Sequence, residues 1–525
     1  MAPISELDVS AIVARTSRSY DALPYTSDPF PTTHPARVGA IARLFALDAA
    51  PLKQARVLEL GCAAGGNIIP LAARHPHAAF VGIDLSGTQV AAGRARIAQL
   101  GLSNIELRCE SFSELGALDP CFDYVICHGV YSWVPAPLRA TILRICRDCL
   151  SPRGVALVSY NVLPGWRMLQ ALRDCFLLHG SADADPRARV AQARALLQSL
   201  PQACPEAGTY RDFLVGQADR LLKSSDDYLA HEFLDDVNEP CSFREFVDAA
   251  RTHGLAFLAE AELPSMILAN YPPNMAAMVQ QAGGNALLAT EQLIDMVSGR
   301  TFRHTLLVAA ERAPQIDRRL ASGRLEGLHF IGDGALALTS EAGGVTLAAP
   351  AGRRLHTDSA PLAQALARFV AAFPGSSSVD DLVQALPAAA RNAEGRALVR
   401  EGLLNMVING LATARTDAVP AVARTGPMPV ACPMVRAEAA RGAATTVNLR
   451  HERVELDSFA RIVLPLIDGS HDADAISAAI AQGGRRFAFT RDGAAIDDPD
   501  ERMRIVSGKL LTLLPTLARA GLLLG

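Results

Sequence analysis

The stretch Val57–Asn67, VLELGCAAGGN, constrains this chain more than any other. An apolar run, Arg56-Val57-Leu58-Glu59-Leu60, passes straight into a turn made by Gly61, Gly65 and Gly66, with Ala63 between them. A helical stretch, Ile68–Arg74, follows at once. Strand, tight glycine loop and helix together let backbone N–H groups approach a nucleotide-like ligand. One acid, Glu59, sits on the strand just before the turn, and a second, Asp84, ends the next apolar run, Phe80-Val81-Gly82-Ile83. An acid at the tip of a second strand is placed to accept hydrogen bonds from ribose hydroxyls.

From 55 to 160 the pattern alternates. Strands are expected at Arg56–Leu60, Ala79–Asp84, Ile105–Cys109, Phe122–His128 and Gly154–Tyr160, and helices at Ile68–Arg74, Gly87–Leu100 and Leu138–Leu150. Such alternation implies an α/β fold with a parallel sheet, Rossmann-like, whose ligands lie at the carboxyl ends of the strands. Ser151-Pro152-Arg153-Gly154 reads as a turn before the fifth strand. Residues 165–320 read as α-rich, with strands at Glu260–Ile267 and in TFRHTLLVA. Residues 361–415 and 455–525 resemble one another: each has an apolar helix ending near glycine, a second helix, then a leucine-rich helix (Gly402–Ala412 and Lys509–Leu524). Winged-helix-like modules are the expectation there, with a plain helical bundle as the alternative. The resulting division is an arm at 1–35, a cofactor domain at 36–175, an α-rich middle domain at 176–320, a module at 321–415, a proline-bearing irregular linker at 416–445 and a last module at 446–525.

A chain of 525 residues predicts two to four domains. A net charge of −4 argues against a general nucleic-acid binder or a polybasic membrane patch. MAPISELDVS lacks the layout of a signal peptide, and no apolar run is long enough to span a membrane, so a cytoplasmic protein without membrane insertion is expected. Ten scattered cysteines read as reduced thiols. Cys146 and Cys149 form a CxxC inside a helical run, which reads as a helix face. Without HExxH or a paired CxxC, no metal is expected.

The glycine loop admits two readings. Gly61-x-Ala63-x-x-Gly66 fits a dinucleotide fingerprint loosely. Glu59-Leu60-Gly61-Cys62-Ala63-Ala64-Gly65, with its acid directly ahead of the glycines, resembles motif I of the class I S-adenosylmethionine-dependent methyltransferases. VGIDLS, the Arg108–Phe112 stretch, FDYVIC and LSPRGVALVSY follow in that family's order. CHGVYSWVP (Cys127–Pro135), SYNVLPGW (Ser159–Trp166), YLAHEFLDDVNEPCSFREFV (Tyr228–Val247) and TFRHTLLV (Thr301–Val308) narrow the resemblance. They look like bacterial methyltransferases carrying a methyltransferase regulatory domain, a group that includes rickettsial outer-membrane-protein lysine methyltransferases.

The resemblance implies S-adenosyl-L-methionine as cofactor, held by Glu59, Gly61, Cys62, Ala63, Gly65, Asn67, Asp84 and Leu85, with adenine contacts at Glu110, Ser111 and Phe112. Tyr25 and Thr33, in the arm, fit a lid over the cofactor or packing at the sheet edge. His128 fits a cofactor or proton contact, or a plain polar group at a strand end. Methyl transfer to a lysine needs an aligned, neutral amine, which aromatic walls desolvate and oriented carbonyls hold. Tyr131 and Trp133 are candidates for walls, with Tyr160 and Asn161 at the end of strand five, Asn161 placed to orient the amine. His231 and Glu232, adjacent in the middle domain, read as a base or amine-binding pair, or as a helix-surface pair.

The function expected is methylation of lysine side chains on a protein substrate with accessible lysines, and the resemblance implies a homodimer. A small-molecule methyltransferase and a non-catalytic cofactor-binding regulatory protein are the alternatives. An NAD-dependent oxidoreductase is disfavoured by the acid ahead of the glycines.

Overall fold

The computed structural model describes residues 6–115, 121–180, 185–204, 207–341, 343–350, 352–483, 490–491, 494–496 and 498–525. The chain divides into two compact units. The first holds residues 6–28, 53–261 and 271–316, and the second 29–52, 262–270 and 317–525.

A seven-stranded sheet organises the first unit. Its strands are β1 (Arg56–Leu60), β2 (Ala79–Asp84), β3 (Ile105–Cys109), β4 (Phe122–Cys127), β5 (Leu150–Asn161), β6 (Leu255–Glu260) and β7 (Phe302–Ala309). Their order is β3-β2-β1-β4-β5-β7-β6. The first five are parallel, as the strand–helix alternation predicts. β7 is antiparallel to both β5 and β6. The two strands of the middle block therefore complete the sheet of the N-terminal block. Val57, Leu58 and Leu60 are wholly buried, because a parallel strand covered on both faces must be apolar throughout.

Two local expectations are corrected. The strand expected at Glu260–Ile267 is Leu255–Glu260, and Leu263–Met266 is a short 3-10 turn begun by Pro264. The Ser151–Gly154 turn is absorbed into β5, whose register slips between Phe122 and Tyr124 of its neighbour, so an irregularity replaces the turn. Helix Pro35–Leu44 lies in the second unit, where Ala36 O accepts from Thr416 N.

Four helices of the first unit, Trp166–His179, Pro186–Ala203, Thr209–Leu221 and Asp226–Phe233, share an apolar core. Phe233 is fully buried between Phe176, at 5.9 Å, and Trp166, at 6.5 Å. Helix Phe243–Thr252 begins in a capping box: Ser242 accepts from Glu245 N while Glu245 accepts from Ser242 N.

In the second unit, Ser377–Ser378, His329–Gly332 and Ala412–Arg415 form a small antiparallel sheet beside helices Ala360–Ala372, Val379–Gln384 and Ala393–Ile408. The leucine-rich helix expected at Gly402–Ala412 thus starts nine residues earlier and stops at Ile408, and Ala412 opens a strand. The stretch 416–445 is not wholly irregular, since Pro433 begins the helix Pro433–Ala440. Helices Ser458–Val463, Ala473–Gln482 and Pro499–Arg519 with the pair Thr445–Val447 and Arg453–Glu455 make a C-terminal winged-helix domain. No helix among the described residues is long and apolar enough to cross a membrane.

Candidate active site

The carboxyl ends of β1 to β5 lie along one edge of the sheet, and the glycine loop springs from β1 there. Gly61 and Gly65 have φ of +77° and +74°, in the region where a Cβ clashes with backbone. Ala63 carries φ +48°, uncommon for a residue with a side chain. Its N–H donates to Asp84 Oδ2 at 2.8 Å, and Ser86 N donates to Asp84 Oδ1 at 2.9 Å. Asp84 thus ties the loop to the tip of β2. Cys62 points its sulfur back against β2, where a Cβ on Gly82 would meet Sγ at 2.8 Å, so this residue presents its backbone to the loop. The segment after β4 closes over the loop: a Cβ on Gly61 would stand 2.3 Å from Val130 Cγ2.

Glu59 is 3% exposed. Its Oε1 accepts from Asn67 Nδ2 at 2.7 Å, and its Oε2 has no hydrogen-bond partner. Burial pushes its carboxyl up to about 8, against the pull of the Asn67 bond. A buried carboxylate oxygen without a donor, at the mouth of a loop of N–H groups, suits a ligand that carries a cationic or donor group. Glu110 N donates to Asp84 O at 3.0 Å, which brings the β3 end beside the β2 end. Leu85 follows Asp84, its carbonyl accepting the Cys109 thiol. Ser111 and Phe112 are half-buried just beyond, with Ser111 hydrogen-bonded to Ser113. These residues fit S-adenosylmethionine: an orphaned acid on β1 and a second acid at the tip of β2, at one sheet edge.

The arm crosses this edge. Gly66 N donates to Ser27 Oγ at 2.8 Å, Gln89 Nε2 donates to Tyr25 O at 2.8 Å, and Asp21 accepts from Ser86 Oγ and Thr88 N. On its other side the arm holds helix Asp226–Phe233. Asp227 accepts from Thr26 N and Thr26 Oγ1, and His231 Nε2 donates to Leu23 O at 2.7 Å. Tyr20 stacks on His231 with centroids 4.1 Å apart, and the Tyr25 ring lies at 5.8 Å. Tyr20 is buried near both Asp235 and Asp84, which raises its hydroxyl pKa. Burial raises Glu232 to about 7. Tyr20, Asp21, Ser27, Gln89 and Asp235 had no local sequence signal, because each acts on residues far along the chain. Thr33 is buried in the second unit, its hydroxyl donating to Phe30 O.

The remaining candidates follow β4 and β5. His128 Nε2 lies 3.2 Å from His304 Nε2, the rings are stacked, and burial with the neighbouring imidazole pushes His128 down to about 3. Tyr131 is 4% exposed and packs edge-on to Phe246 and Tyr160. Trp133 meets Trp166 edge-on at 6.5 Å. Tyr160 stacks on Phe246 at 4.0 Å, with its hydroxyl 3.1 Å from Thr305 Oγ1. Asn161 N donates to Ser132 Oγ, and its Nδ2 donates to Asn238 Oδ1.

Sheet order and cradle together define a class I S-adenosylmethionine-dependent methyltransferase. The chain belongs to the family of methyltransferases that carry a methyltransferase regulatory domain. Residues 57–154 match a family described as methyltransferase domain, 225–309 match the predicted methyltransferase regulatory domain, and 428–522 match the PKMT C-terminal winged helix domain. The uncharacterized protein RP028 of Rickettsia prowazekii is 33% identical over 242 residues, 46% of this chain and 97% of that protein. RP789 of the same organism is 40% identical over 289 residues, 55% of this chain. The chain spans about half that relative's length, 52%. The structure of PKMT2 from Rickettsia typhi in complex with AdoHcy is similar at a TM-score of 0.82 and 25% identity, covering 96% of this chain and 100% of that one.

Proposed function

We propose that this enzyme methylates lysine side chains of a protein. The observation that carries the reading is the likeness to PKMT2 from Rickettsia typhi along 96% of the chain, together with the match of residues 428–522 to the PKMT C-terminal winged helix domain. S-Adenosylmethionine, when bound, supplies an electrophilic methyl group on a sulfonium. Glu59 and Asn67 would hold the donor's polar end at the β1 tip, and Asp84 would face its ribose. Ser27 and Tyr25 lay the arm over the loop, which excludes water from the reacting centre. The aromatic and acidic groups around helix Asp226–Phe233, Tyr20, Tyr25, His231, Glu232 and Asp235, suit an alkyl ammonium: rings desolvate it and acids attract it. Glu232, raised to about 7, is poised to take the proton a lysine must lose before attack.

The test is incubation of the full chain with methyl-labelled S-adenosylmethionine and a bacterial outer-membrane-protein fraction, followed by peptide mass spectrometry. Methyl increments on lysine support the reading. Label appearing only in small molecules, from protein that binds the cofactor, would refute it.

A further inference from the structure

A cavity of about 330 Å³ opens in the second unit where segments distant in sequence meet. Helix Pro35–Leu44 brings Arg37, strand Ala412–Arg415 brings Thr413 and Arg415, and the turn between Thr445–Val447 and Arg453–Glu455 brings Arg450. Thr413 and Arg415 share a face, because side chains alternate along a strand. Pro31, Ile331, Phe373, Leu411 and Val419 give apolar walls. Arg415 is 5% exposed, and the side chains of Arg37 and Arg450 are 16% and 14% exposed, so all three guanidinium groups are largely withdrawn from bulk water. Each has one acid partner: Arg37 reaches Glu262 at 3.0 Å, Arg415 reaches Asp417 at 2.9 Å and Arg450 reaches Glu452 at 2.6 Å. Of these acids Glu452 alone borders the cavity, and its Oε2 is already shared by Arg450 Nε, Arg450 Nη2 and Asn448 Nδ2. The other lining acid, Asp333, is exposed, and its Oδ1 accepts from Ala335 N. Two donors remain. Arg415 spends Nε and Nη2 on Asp417 and His34, and its Nη1 has no partner among the described residues. The Thr413 hydroxyl has none there either, and both atoms are accessible.

We infer that this cavity binds a small oxyanion, a carboxylate or phosphate group on a compact apolar body, through Arg415 Nη1 and Thr413 Oγ1, as a ligand additional to the cofactor and the methyl acceptor. The chemistry selects the occupant. A cation would enter among three guanidinium groups, with both lining acids already hydrogen-bonded. A neutral acceptor would gain ordinary hydrogen bonds, whereas an oxyanion gains charge-assisted ones, about twice as strong. The planar fork of a guanidinium matches carboxylate and phosphate geometry, and Arg415 is held in one orientation by Asp417 behind it. Arg450 is likewise fixed, its guanidinium 4.7 Å from the centre of the Phe373 ring, so the charge around the cavity is set before a ligand arrives. The volume lies at the small end of ligand pockets, which suits one small molecule and not a length of polymer.

The experiment titrates phenyl phosphate, benzoate and benzamide into the full chain by calorimetry, at constant ionic strength and with S-adenosylmethionine already saturating, so that the cofactor's own site is occupied. Saturable binding of phenyl phosphate, of benzoate or of both, with none of benzamide, is expected, and the anion that binds tells a phosphate ligand from a carboxylate one. Arg415→Lys, which keeps a charge beside Asp417 and loses the fork, is expected to weaken the anion about tenfold. Thr413→Val, of nearly the same shape, is expected to weaken it about threefold. Urea midpoints show which variants fold, and if Arg415→Lys does not, Thr413→Val decides. Benzamide binding as tightly as benzoate overturns the inference. So does the absence of binding by both anions to cofactor-loaded protein, and so does unchanged anion affinity in every variant that folds.

Discussion

Gly66 gives its backbone N–H to Ser27 Oγ at 2.8 Å, so the glycine loop after β1 and the N-terminal arm are one hydrogen-bonded structure. A Cβ on Gly66 would stand 1.9 Å from Ser27 O, a backbone atom that has no rotamer in which to escape. Gly66→Ala is therefore expected to push the arm off the loop. Ser27→Ala loses one acceptor, a cost of about 0.5–1.5 kcal/mol, and leaves the arm's path open. Limited proteolysis within 20–28 and calorimetry with S-adenosylmethionine check this. Gly66→Ala should show faster cleavage and the larger affinity loss; equal behaviour of the two variants would refute the close approach.

Glu59 gives a pH-dependent prediction. Burial lifts its carboxyl from 4.5 to about 8, so between those values the folded chain holds a proton the unfolded chain has released. Stability of the ligand-free protein should fall as pH rises through that window. Glu59→Gln keeps an acceptor for Asn67 Nδ2 and removes the ionisation. Urea midpoints at pH 6 and pH 9 should differ less in the variant than in the wild type. Its affinity for S-adenosylmethionine should drop at both pH values, because the orphaned Oε2 is replaced by an amide donor. An unchanged pH slope would show that Glu59 is not the group responsible.

The five parallel strands and the glycine loop were legible because their signals are local: an apolar run, then glycines, then an acid within a few residues. The pairing of β7 between β5 and β6 was not, because nothing in TFRHTLLVA states which strand it lies against. The loop's acids were readable as types, and their neighbours were not. That Asn67 takes one oxygen of Glu59 and leaves the other depends on rotamers. Tyr131 and Tyr160 look alike in sequence whether they line a site or pack a core, and Phe246, which both rings meet, lies over eighty residues further on. The stacking of Tyr20 on His231 has no local signal, because its partner is on a helix some two hundred residues away.

His231 couples the arm to helix Asp226–Phe233. Burial alone would push its imidazole down, but Asp235, 3.5 Å from Nδ1, and the Leu23 carbonyl outweigh it, and the net shift is upward. A raised histidine stabilises fully below its unfolded value, roughly 6.5, and loses that contribution as pH rises through the folded one. Hydrogen-exchange protection of residues 20–28 should accordingly decline from pH 6 to pH 8.5. His231→Phe keeps a ring for Tyr20 to stack on and removes both the bond and the titration. In that variant protection should be lower at pH 6 and flat with pH; a retained pH dependence would assign it elsewhere.

Arg303 is 1% exposed and sits where β7, β6 and helix Leu287–Ser298 meet. Its guanidinium reaches Glu260 at 2.8 Å, both oxygens of Asp295 at 2.8 Å and Glu291 at 3.1 Å, and it lies 4.2 Å from the centre of the Phe243 ring. Arg300 adds a second positive charge, 3.3 Å from Asp295. Two arginines thus face three acids, and burial lifts Glu291 to about 7 against the pull of Arg303. Arg303→Met fills the space but strands Asp295 and Glu260 without their main partner. Breaking a buried ion pair from one side costs about 3–5 kcal/mol, far more than most surface changes. Urea denaturation should place the variant in that range. Adding Asp295→Asn removes one stranded charge, so the double variant should be less destabilised than the sum of the two singles by about 0.5–3 kcal/mol. Strict additivity would mean that these two residues do not act as a pair, and that the junction between the inserted strand and its helix is held by packing alone.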